Sequence, residues 1–217
     1  MLRPIHRMLL DHGERLRSSE YQFNLDRKRF ELGAALLRLA VGHTVGRRGA
    51  ALSIDRTCDF CGKQHGRPRV LGFEGHVSVS HSGDVVAVAI TSAGPVGLDV
   101  EALDGRAAST YRSIADLVVA ATERSCVDTR TAFFTVWTRK EAVLKATGYG
   151  LRVPMAEVVV SSPYQEANLI SLRGATPPPC FMRDIDTGVG YCGAVAVFTR
   201  STVDVVVRDA APLLSTA

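Results

Sequence analysis

The sequence has no long hydrophobic run, since no segment approaches the roughly 18 consecutive apolar residues of a membrane-spanning helix. Its first residues, Met1 to Arg7, also lack the apolar stretch of a secretory signal. We therefore expect a cytoplasmic protein that does not associate with membranes. Aromatic residues are few, at 6% of the chain, but hydrophobic residues make up 46%. That content is enough for a buried core, so an intrinsically disordered chain is excluded.

Lysine is also scarce, because only four of the 26 basic residues are lysines and the rest are arginines. The 22 acidic residues leave a net charge of +4, which favours acidic partners without requiring nucleic acid. The chain contains no GxxxxGK[ST] loop, no GxGxxG after a strand and no GxSxG elbow. The sequence therefore indicates neither of the common nucleotide-binding loops and no α/β-hydrolase mechanism.

The cysteines are five in number, and an odd count without an export signal argues against a disulfide framework. Cys58 and Cys61 form a CxxC followed by His65, but no second CxxC supplies a fourth zinc ligand. His76 and His81 are oddly spaced for that role. Two interpretations stay open, a structural zinc site and a reduced loop with free thiols, and the pattern favours the loop.

The hydrophobic periodicity predicts an α+β fold. Helical spacing occurs at residues 24–41, 112–121 and 131–147, and Gly42 and Gly148 are the predicted stops. Strand-like patterns occur at residues 76–80, 85–90, 95–101, 158–160, 192–198 and 203–207. Because the order is helix then strands, twice, we expect two similar halves in a pseudo-twofold arrangement, each a helix packed on a small antiparallel sheet. The predicted halves are residues 1–97 and 98–217.

The first candidate site is the segment Gly97-Leu98-Asp99-Val100-Glu101. Residues two apart in a strand point to the same side, so Asp99 and Glu101 should project together while Leu98 and Val100 face the core. Two neighbouring carboxylates repel each other unless a cation or solvent intervenes. The pair therefore indicates either a solvated edge strand or half of a Mg²⁺ site.

The second candidate is the strongest predicted helix, which contains the only tryptophan of the chain. Trp137, Glu141 and Lys145 are spaced i, i+4, i+8 and form one stripe. A surface Glu–Lys pair is the ordinary interpretation of such spacing. The scarcity of lysine and the tryptophan on the same stripe favour a functional one.

The third candidate is Ser80-His81-Ser82, which lies where a predicted strand gives way to the turn at Gly83. This placement can present the imidazole and nearby backbone N–H groups to a ligand. A histidine satisfied by local hydrogen bonds is the alternative.

Taken together, these segments resemble the Sfp-type 4′-phosphopantetheinyl transferase family. The family pattern has a basic N-terminal helix region, then G-[KR]-P, S-H-S, G-[ILV]-D-[ILV]-E and W-x-x-K-E-[AS]-x-x-K. The last four appear here in order as Gly66-Arg67-Pro68, Ser80-His81-Ser82, Gly97 to Glu101 and Trp137 to Lys145. The resemblance covers roughly residues 15–154, and the remaining residues match only as a β-rich pattern.

The resemblance implies an enzyme of the holo-[acyl-carrier-protein] synthase type that uses Mg²⁺, or Mn²⁺. Such enzymes move the phosphopantetheine arm of coenzyme A onto a serine of an apo acyl or peptidyl carrier protein and release 3′,5′-ADP. Asp99, Glu101 and Glu141 match the metal-binding carboxylates, and Glu141 also matches the proposed general base. Lys145 matches a lysine near the α-phosphate and the pantetheine oxygens. A monomer would be sufficient for such an enzyme.

The resemblance also implies the residues that bind coenzyme A. Arg67, Ser80 and His81 match coenzyme A contacts, with His81 near the 3′-phosphate. Arg15 and Arg17 lie where the family has basic residues near the nucleotide.

The sequence departs from the family pattern at two places. Phe30 stands where some members have a hydroxyl residue that touches coenzyme A. The usual Gly-Lys-Pro motif reads Gly-Arg-Pro here, and the arginine can still bind a phosphate. Two alternative functions remain: a different Mg²⁺-dependent nucleotide transferase, and a zinc-stabilised binding module built on Cys58, Cys61 and His65.

Overall fold

The computed structural model describes residues 2–104 and 106–215. The helices in this part of the chain are α1 (Pro4–Met8), α2 (His12–Ser19), α3 (Asn24–Val45), α4 (Arg106–Val118), α5 (Arg130–Thr147) and α6 (Ala211–Ser215). The strands are β1 (Ile54–Asp55), β2 (Arg69–Val70), β3 (His76–Ser82), β4 (Val85–Thr91), β5 (Val96–Ala102), β6 (Val158–Val160), β7 (Leu169–Leu172), β8 (Cys180–Asp184) and β9 (Tyr191–Phe198).

The first structural unit consists of α3 packed on the antiparallel β3–β4 hairpin. The hairpin turns at Gly83, whose φ of 55° suits a residue without a side chain. Leu37 and Val41 of α3 are completely buried and share one apolar cluster with Val77 of β3. The unit is thus held together by a helix stripe facing a hairpin, as the periodicity predicts.

Helix α3 runs past its predicted stop at Gly42 and ends at Gly46, which has a left-handed φ of 67°. Gly42 lies inside the helix, where a Cβ would come within 2.5 Å of the Arg47 carbonyl oxygen. The predicted end of α3 at Gly42 was therefore wrong. Gly42 allows close packing against the Arg47 backbone, and Gly46 adopts the left-handed conformation that ends the helix.

The second unit is the antiparallel sheet β5-β9-β8, with α5 packed against β5 and β9. Its core contains Phe133 and Val143 of α5 together with Ala194 and Ala196 of β9. On β5, Leu98 belongs to another cluster, which includes alanines of β4. The two units therefore share apolar contacts.

Two charged side chains of α5 are also completely buried in the second unit. Lys140 Nζ lies 2.5 Å from the buried Glu123 carboxylate and also donates to the carbonyl oxygens of Val118 and Met155. Arg139 pairs with Asp184 at 2.6 Å. Each buried charge thus has a partner, which offsets its desolvation cost.

The mixture of helices and small antiparallel sheets confirms the predicted α+β class. The predicted boundary between residues 97 and 98 falls inside β5, which pairs with β9 along its whole length. The division into residues 1–97 and 98–217 and the pseudo-twofold relation stay predictions. Among the described residues, every helix is too short or too polar to span a lipid bilayer.

The segment 203–207 was predicted as a strand and forms none. Val203 and Val205 instead pack, partly buried, against the cluster of β5 and β9 side chains. The alternating valines therefore reflect burial on one side without a ladder of backbone hydrogen bonds.

The contact between α5 and β5 at Gly97 generates a prediction about stability. A Cβ at Gly97 would lie 1.9 Å from the Ala142 carbonyl oxygen and 2.6 Å from the Ala146 nitrogen. Gly97→Ala should therefore lower the free energy of unfolding by about 3 kcal/mol or more, because backbone atoms rather than side chains must move. Urea denaturation measures this.

Gly13→Ala is the matched control, since Gly13 lies in α2 and the atom nearest to its added Cβ, Asp11 Oδ1, is 3.5 Å away. It should leave stability unchanged or raise it by up to about 1 kcal/mol. Parent-like unfolding of Gly97→Ala would contradict the close approach of helix and strand.

Candidate active site

Strands β3 and β5 lie side by side and are joined by three serine side chains. The hydroxyl oxygens of Ser78, Ser80 and Ser82 accept hydrogen bonds from the backbone nitrogens of Leu98, Val100 and Ala102, at 3.0, 3.2 and 3.0 Å. The constant offset of 20 residues means that the two strands run in the same direction. The serine pattern of β3 therefore connects the hairpin of the first unit to the sheet of the second.

Lys145 and Asp99 form an ion pair beside these three serines of β3. Lys145 Nζ lies 2.6 Å from Asp99 Oδ1 and donates to Ser80 Oγ at 3.0 Å and to the Leu98 carbonyl oxygen at 3.1 Å. Ser80 Oγ in turn donates to Asp99 Oδ1 at 2.9 Å. Asp99 is only 3% exposed, so the solvated edge-strand interpretation of its segment was wrong for this residue.

Glu101 and Glu141 stand near Asp99, and both hold their protons more tightly than usual. Burial and then the Asp99 carboxylate raise the pKa of Glu101 to about 7, although Ser82 Oγ donates to Glu101 Oε2 at 2.7 Å. Burial and then Asp99 also raise the pKa of Glu141. The neighbouring carboxylates thus carry more negative charge than Lys145 alone balances.

This donor set fits a hard divalent cation. Asp99 Oδ2 is buried and has no hydrogen-bond partner in the described part of the chain. Carboxylate oxygens are the ligands that Mg²⁺ prefers, and a cation would relieve both the unpartnered oxygen and the crowded charge. Glu101, Glu141 and Asp99 do not bring one oxygen each within 4.8 Å of the others. A cation shared by all three would therefore require side-chain adjustments.

A pocket of about 360 Å³ opens over this cluster. Its lining residues are Arg17, Tyr21, Phe30, Ala34, Arg56, Val79, Ser80, His81, Asp99, Glu101, Trp137, Glu141 and Lys145. The stripe predicted on α5 faces this pocket, so the surface-pair interpretation of Glu141 and Lys145 was wrong. Lys145 instead pairs with Asp99.

The pocket also has a basic and aromatic side, which comes from the first unit. The Arg17 guanidinium lies 5.4 Å from the centre of the Phe30 ring. His81 is half-buried there, and burial, followed by the charges of Lys145 and Arg29, lowers its pKa. A site with acidic and basic sides suits an anionic ligand that arrives with a metal cation.

Two of the arginines selected from the sequence lie outside the lining of this pocket. Arg67 Nη1 donates to the Ala146 carbonyl oxygen near the end of α5, at 2.7 Å. Arg15 Nη1 donates to the Leu10 carbonyl oxygen. Their assignment to coenzyme A stays a prediction.

Arg56 lines the pocket and was missed by the sequence analysis. Its guanidinium lies 3.7 Å from the Glu14 carboxylate, and its Nε has no hydrogen-bond partner among the described residues. Burial lowers the pKa of Arg56, with Glu14 opposing the shift. Nothing in the sequence near Arg56 indicates this position, because it depends on how the loop after α3 folds back toward α2.

Comparisons with known proteins bear on the part of the chain that holds the carboxylates. Residues 95–196 match the family model of the 4′-phosphopantetheinyl transferase superfamily. Asp99, Glu101, Glu141 and Lys145 lie inside the matched segment. The predicted coenzyme A residues of the first unit lie before it.

Individual relatives carry the same description. The chain is 35% identical to the 4′-phosphopantetheinyl transferase AcpT of Salmonella typhi over 77 residues, 33% of this chain and 39% of that protein. It is 27% identical to a 4′-phosphopantetheinyl transferase of Bacillus subtilis over 173 residues, 78% of this chain and 74% of that protein. Identity to the transferase psf-1 of Bacillus pumilus is 31% over 64% of this chain and 58% of that protein. The aligned part thus spans about two fifths of AcpT and about three quarters of the Bacillus subtilis protein.

The raised pKa of Glu101 predicts how stability depends on pH in metal-free protein. A carboxyl that binds its proton more tightly in the folded chain stabilises folding below its unfolded pKa of 4.5, and this contribution is lost as pH rises toward 7. Between about pH 5 and about pH 8, the Tm of Glu101→Gln should fall less than that of the parent. Some dependence should remain, because the pKa of Glu141 is raised as well.

Glu74→Gln is the control, since Glu74 is exposed and lies outside the pocket lining. It should show the parent's pH dependence of Tm. The same slope for Glu101→Gln would contradict the burial of that carboxyl.

Proposed function

We propose that this protein is an Sfp-type 4′-phosphopantetheinyl transferase. It would transfer the phosphopantetheine arm of coenzyme A to a serine hydroxyl of an apo acyl or peptidyl carrier protein and release 3′,5′-ADP. The observation that carries the proposal is the cluster of Asp99, Glu101, Glu141 and Lys145 on one pocket, inside the segment that matches the superfamily. Neither a different nucleotide transferase nor a zinc-stabilised binding module is supported by the comparisons.

The acidic side of the pocket would hold the metal. Asp99, Glu101 and Glu141 would bind Mg²⁺ or Mn²⁺, which when bound neutralises charge on the pyrophosphate of coenzyme A. The unpartnered Asp99 Oδ2 and the raised pKa values of Glu101 and Glu141 support this assignment. Catalysis at a pyrophosphate depends mainly on such positioning and charge stabilisation.

Glu141 would act as the general base. The carrier serine oxygen bonds to the phosphorus that bears the pantetheine arm, the P–O bond to 3′,5′-ADP breaks, and Glu141 accepts the serine proton, directly or through water. Lys145, whose side chain is 31% exposed, can face the α-phosphate while it keeps Asp99 in place. Both side chains project from α5 on the stripe that faces the pocket.

The nucleotide would bind along the basic side of the pocket. Arg17 and His81 line it, and we add Arg56 to the side chains that can meet a phosphate there. Ser80 is saturated by its contacts to Val100, Lys145 and Asp99 and would act by holding the last two in place. Arg67, like Arg15, would reach the ligand only beyond the present lining.

The proposal extends to the organisation and the partners of the protein. We propose that residues 1–97 mainly bind coenzyme A, that residues 98–217 carry the metal and the base, and that the two halves are related by a pseudo-twofold axis. The enzyme would work as a cytoplasmic monomer on carrier proteins of fatty acid, polyketide or peptide synthesis.

Intact mass measurement of an apo carrier protein tests the function. Incubation with the enzyme, coenzyme A and Mg²⁺ should add one phosphopantetheine group to the carrier. A carrier whose acceptor serine is replaced by alanine, and a reaction with chelator in excess over Mg²⁺, should show no gain. An unchanged mass for several fatty acid, polyketide and peptide carriers, with folded enzyme that binds coenzyme A, would contradict the proposal.

Variants of the carboxylates and of Lys145 test the roles. Glu141→Gln should slow single-turnover transfer by about 10²–10⁴-fold, because the base is lost, while calorimetry still detects coenzyme A binding. Asp99→Asn should lose metal and transfer together, with partial rescue by excess Mn²⁺. Lys145→Ala should slow transfer with little change in carrier affinity.

Glu166→Gln is the matched control for Glu141→Gln, because Glu166 is exposed and lies outside the pocket lining. It should transfer at the parent rate. If Glu141→Gln does so too, Glu141 is not the base.

A further inference from the structure

A second group of ligand side chains lies outside the pocket, in the loop between β1 and β2. Cys58 Sγ, Cys61 Sγ and one His65 ring nitrogen all lie within 4.8 Å of one another. Of the residues that the structure describes, these are the only three whose cysteine, histidine or carboxylate ligand atoms meet that distance. Cys61 Sγ is 2.9 Å from His65 Nε2.

The backbone around Cys58 is folded into a closed turn. The Cys58 nitrogen donates to the Lys63 carbonyl oxygen at 2.8 Å, and the Gly62 nitrogen donates to the Cys58 carbonyl oxygen at 3.0 Å. Gly62 adopts a left-handed φ of 71°, which glycine permits at little cost. This turn brings the two sulfurs close to each other and to the His65 ring.

The same loop has no apolar core of its own. None of the residues 53–69 is buried, although the segment connects two short paired strands, β1 and β2. Phe60 is exposed, and the Arg152 guanidinium lies over its ring. A segment without a fully buried apolar side chain needs another source of order, and a metal bound by side chains can supply it.

We propose that Cys58, Cys61 and His65 bind Zn²⁺ through two thiolates and one imidazole nitrogen. Thiolate and imidazole are ligands that select zinc over Mg²⁺. The fourth tetrahedral position is left to water, because no fourth protein ligand joins the group among the described residues. This site is separate from the carboxylate cluster and does not depend on the proposed transferase function.

Zinc bound here would hold one wall of the pocket in place. The Gln64 carbonyl oxygen accepts a hydrogen bond from Arg17 Nη1 at 2.9 Å, and the Gly66 nitrogen donates to the Arg56 carbonyl oxygen at 2.7 Å. Arg17 and Arg56 both line the pocket. The ligands are therefore positioning residues, which touch neither substrate nor reacting atoms.

The test is the metal content of untagged protein, purified without chelators and with reductant. We expect close to one zinc per chain, and much less in Cys58→Ser, Cys61→Ser and His65→Asn. Cys126→Ser and His43→Asn are matched controls, since both residues lie outside the group, and should keep the parent's zinc. Replacement of zinc by Co²⁺ should give thiolate-to-cobalt absorption in the parent that both cysteine variants lose.

A second measurement guards against variants that fail to fold. Treatment of the parent with chelator should remove the zinc, because the fourth position is open, and should lower the Tm. With Mg²⁺ in excess in every sample, so that any carboxylate site is filled, added Zn²⁺ should restore the Tm of the parent and leave that of Cys58→Ser unchanged.

The proposal is overturned if the parent binds no more zinc or cobalt than His65→Asn. It is also overturned if reduced, zinc-free parent has the same Tm with and without Zn²⁺, or if the isolated protein carries a Cys58–Cys61 disulfide that excludes the metal. None of these outcomes involves coenzyme A transfer, so failure here is distinct from failure of the proposed function.

Discussion

The direct contact of α5 with β5 at Gly97 is the constraint on which the rest of the site depends. With a hydrogen in place of a side chain at Gly97, the Ala142 and Ala146 backbone can lie against the strand. Glu141 and Lys145 immediately precede these two alanines in the chain. The contact therefore brings Lys145 within 2.6 Å of Asp99, two residues along the strand from Gly97. A larger residue would separate Glu141 and Lys145 from the strand carboxylates.

Because the serines of β3 also contact β5 and α5, this arrangement depends on both structural units. Ser80 accepts hydrogen bonds from Val100 and Lys145 and donates to Asp99, so one hydroxyl links a strand of the first unit to the strand and helix of the second. A hydroxyl has one donor and two acceptor sites, and all are used here. The basic and acidic sides of the pocket are thereby held in a fixed relation, although they come from distant parts of the sequence.

The periodicity of the sequence predicted features that a single helix or strand determines. It failed for features that depend on how distant segments pack together. The i, i+4, i+8 stripe of Trp137, Glu141 and Lys145 faces one pocket as expected, because helical spacing alone determines it. The sequence analysis missed the strands β1, β2, β7 and β8 and the helices α1, α2 and α6, because their patterns are short. Arg56 could not be assigned, since its burial beside Glu14 requires the loop after α3 to fold onto α2.

The charges of α5 show that the carboxylates of the pocket have few cationic partners on their own helix. Lys140 is next to Glu141 in sequence, yet it points into the core and pairs with Glu123, and Arg139 pairs with Asp184. Both are fully buried, so neither can neutralise the pocket. Lys145 is the cation of this helix that faces Asp99, Glu101 and Glu141. A phosphate placed against these carboxylates would add negative charge to the excess, so a divalent metal, or protons on Glu101 and Glu141, would favour its binding there.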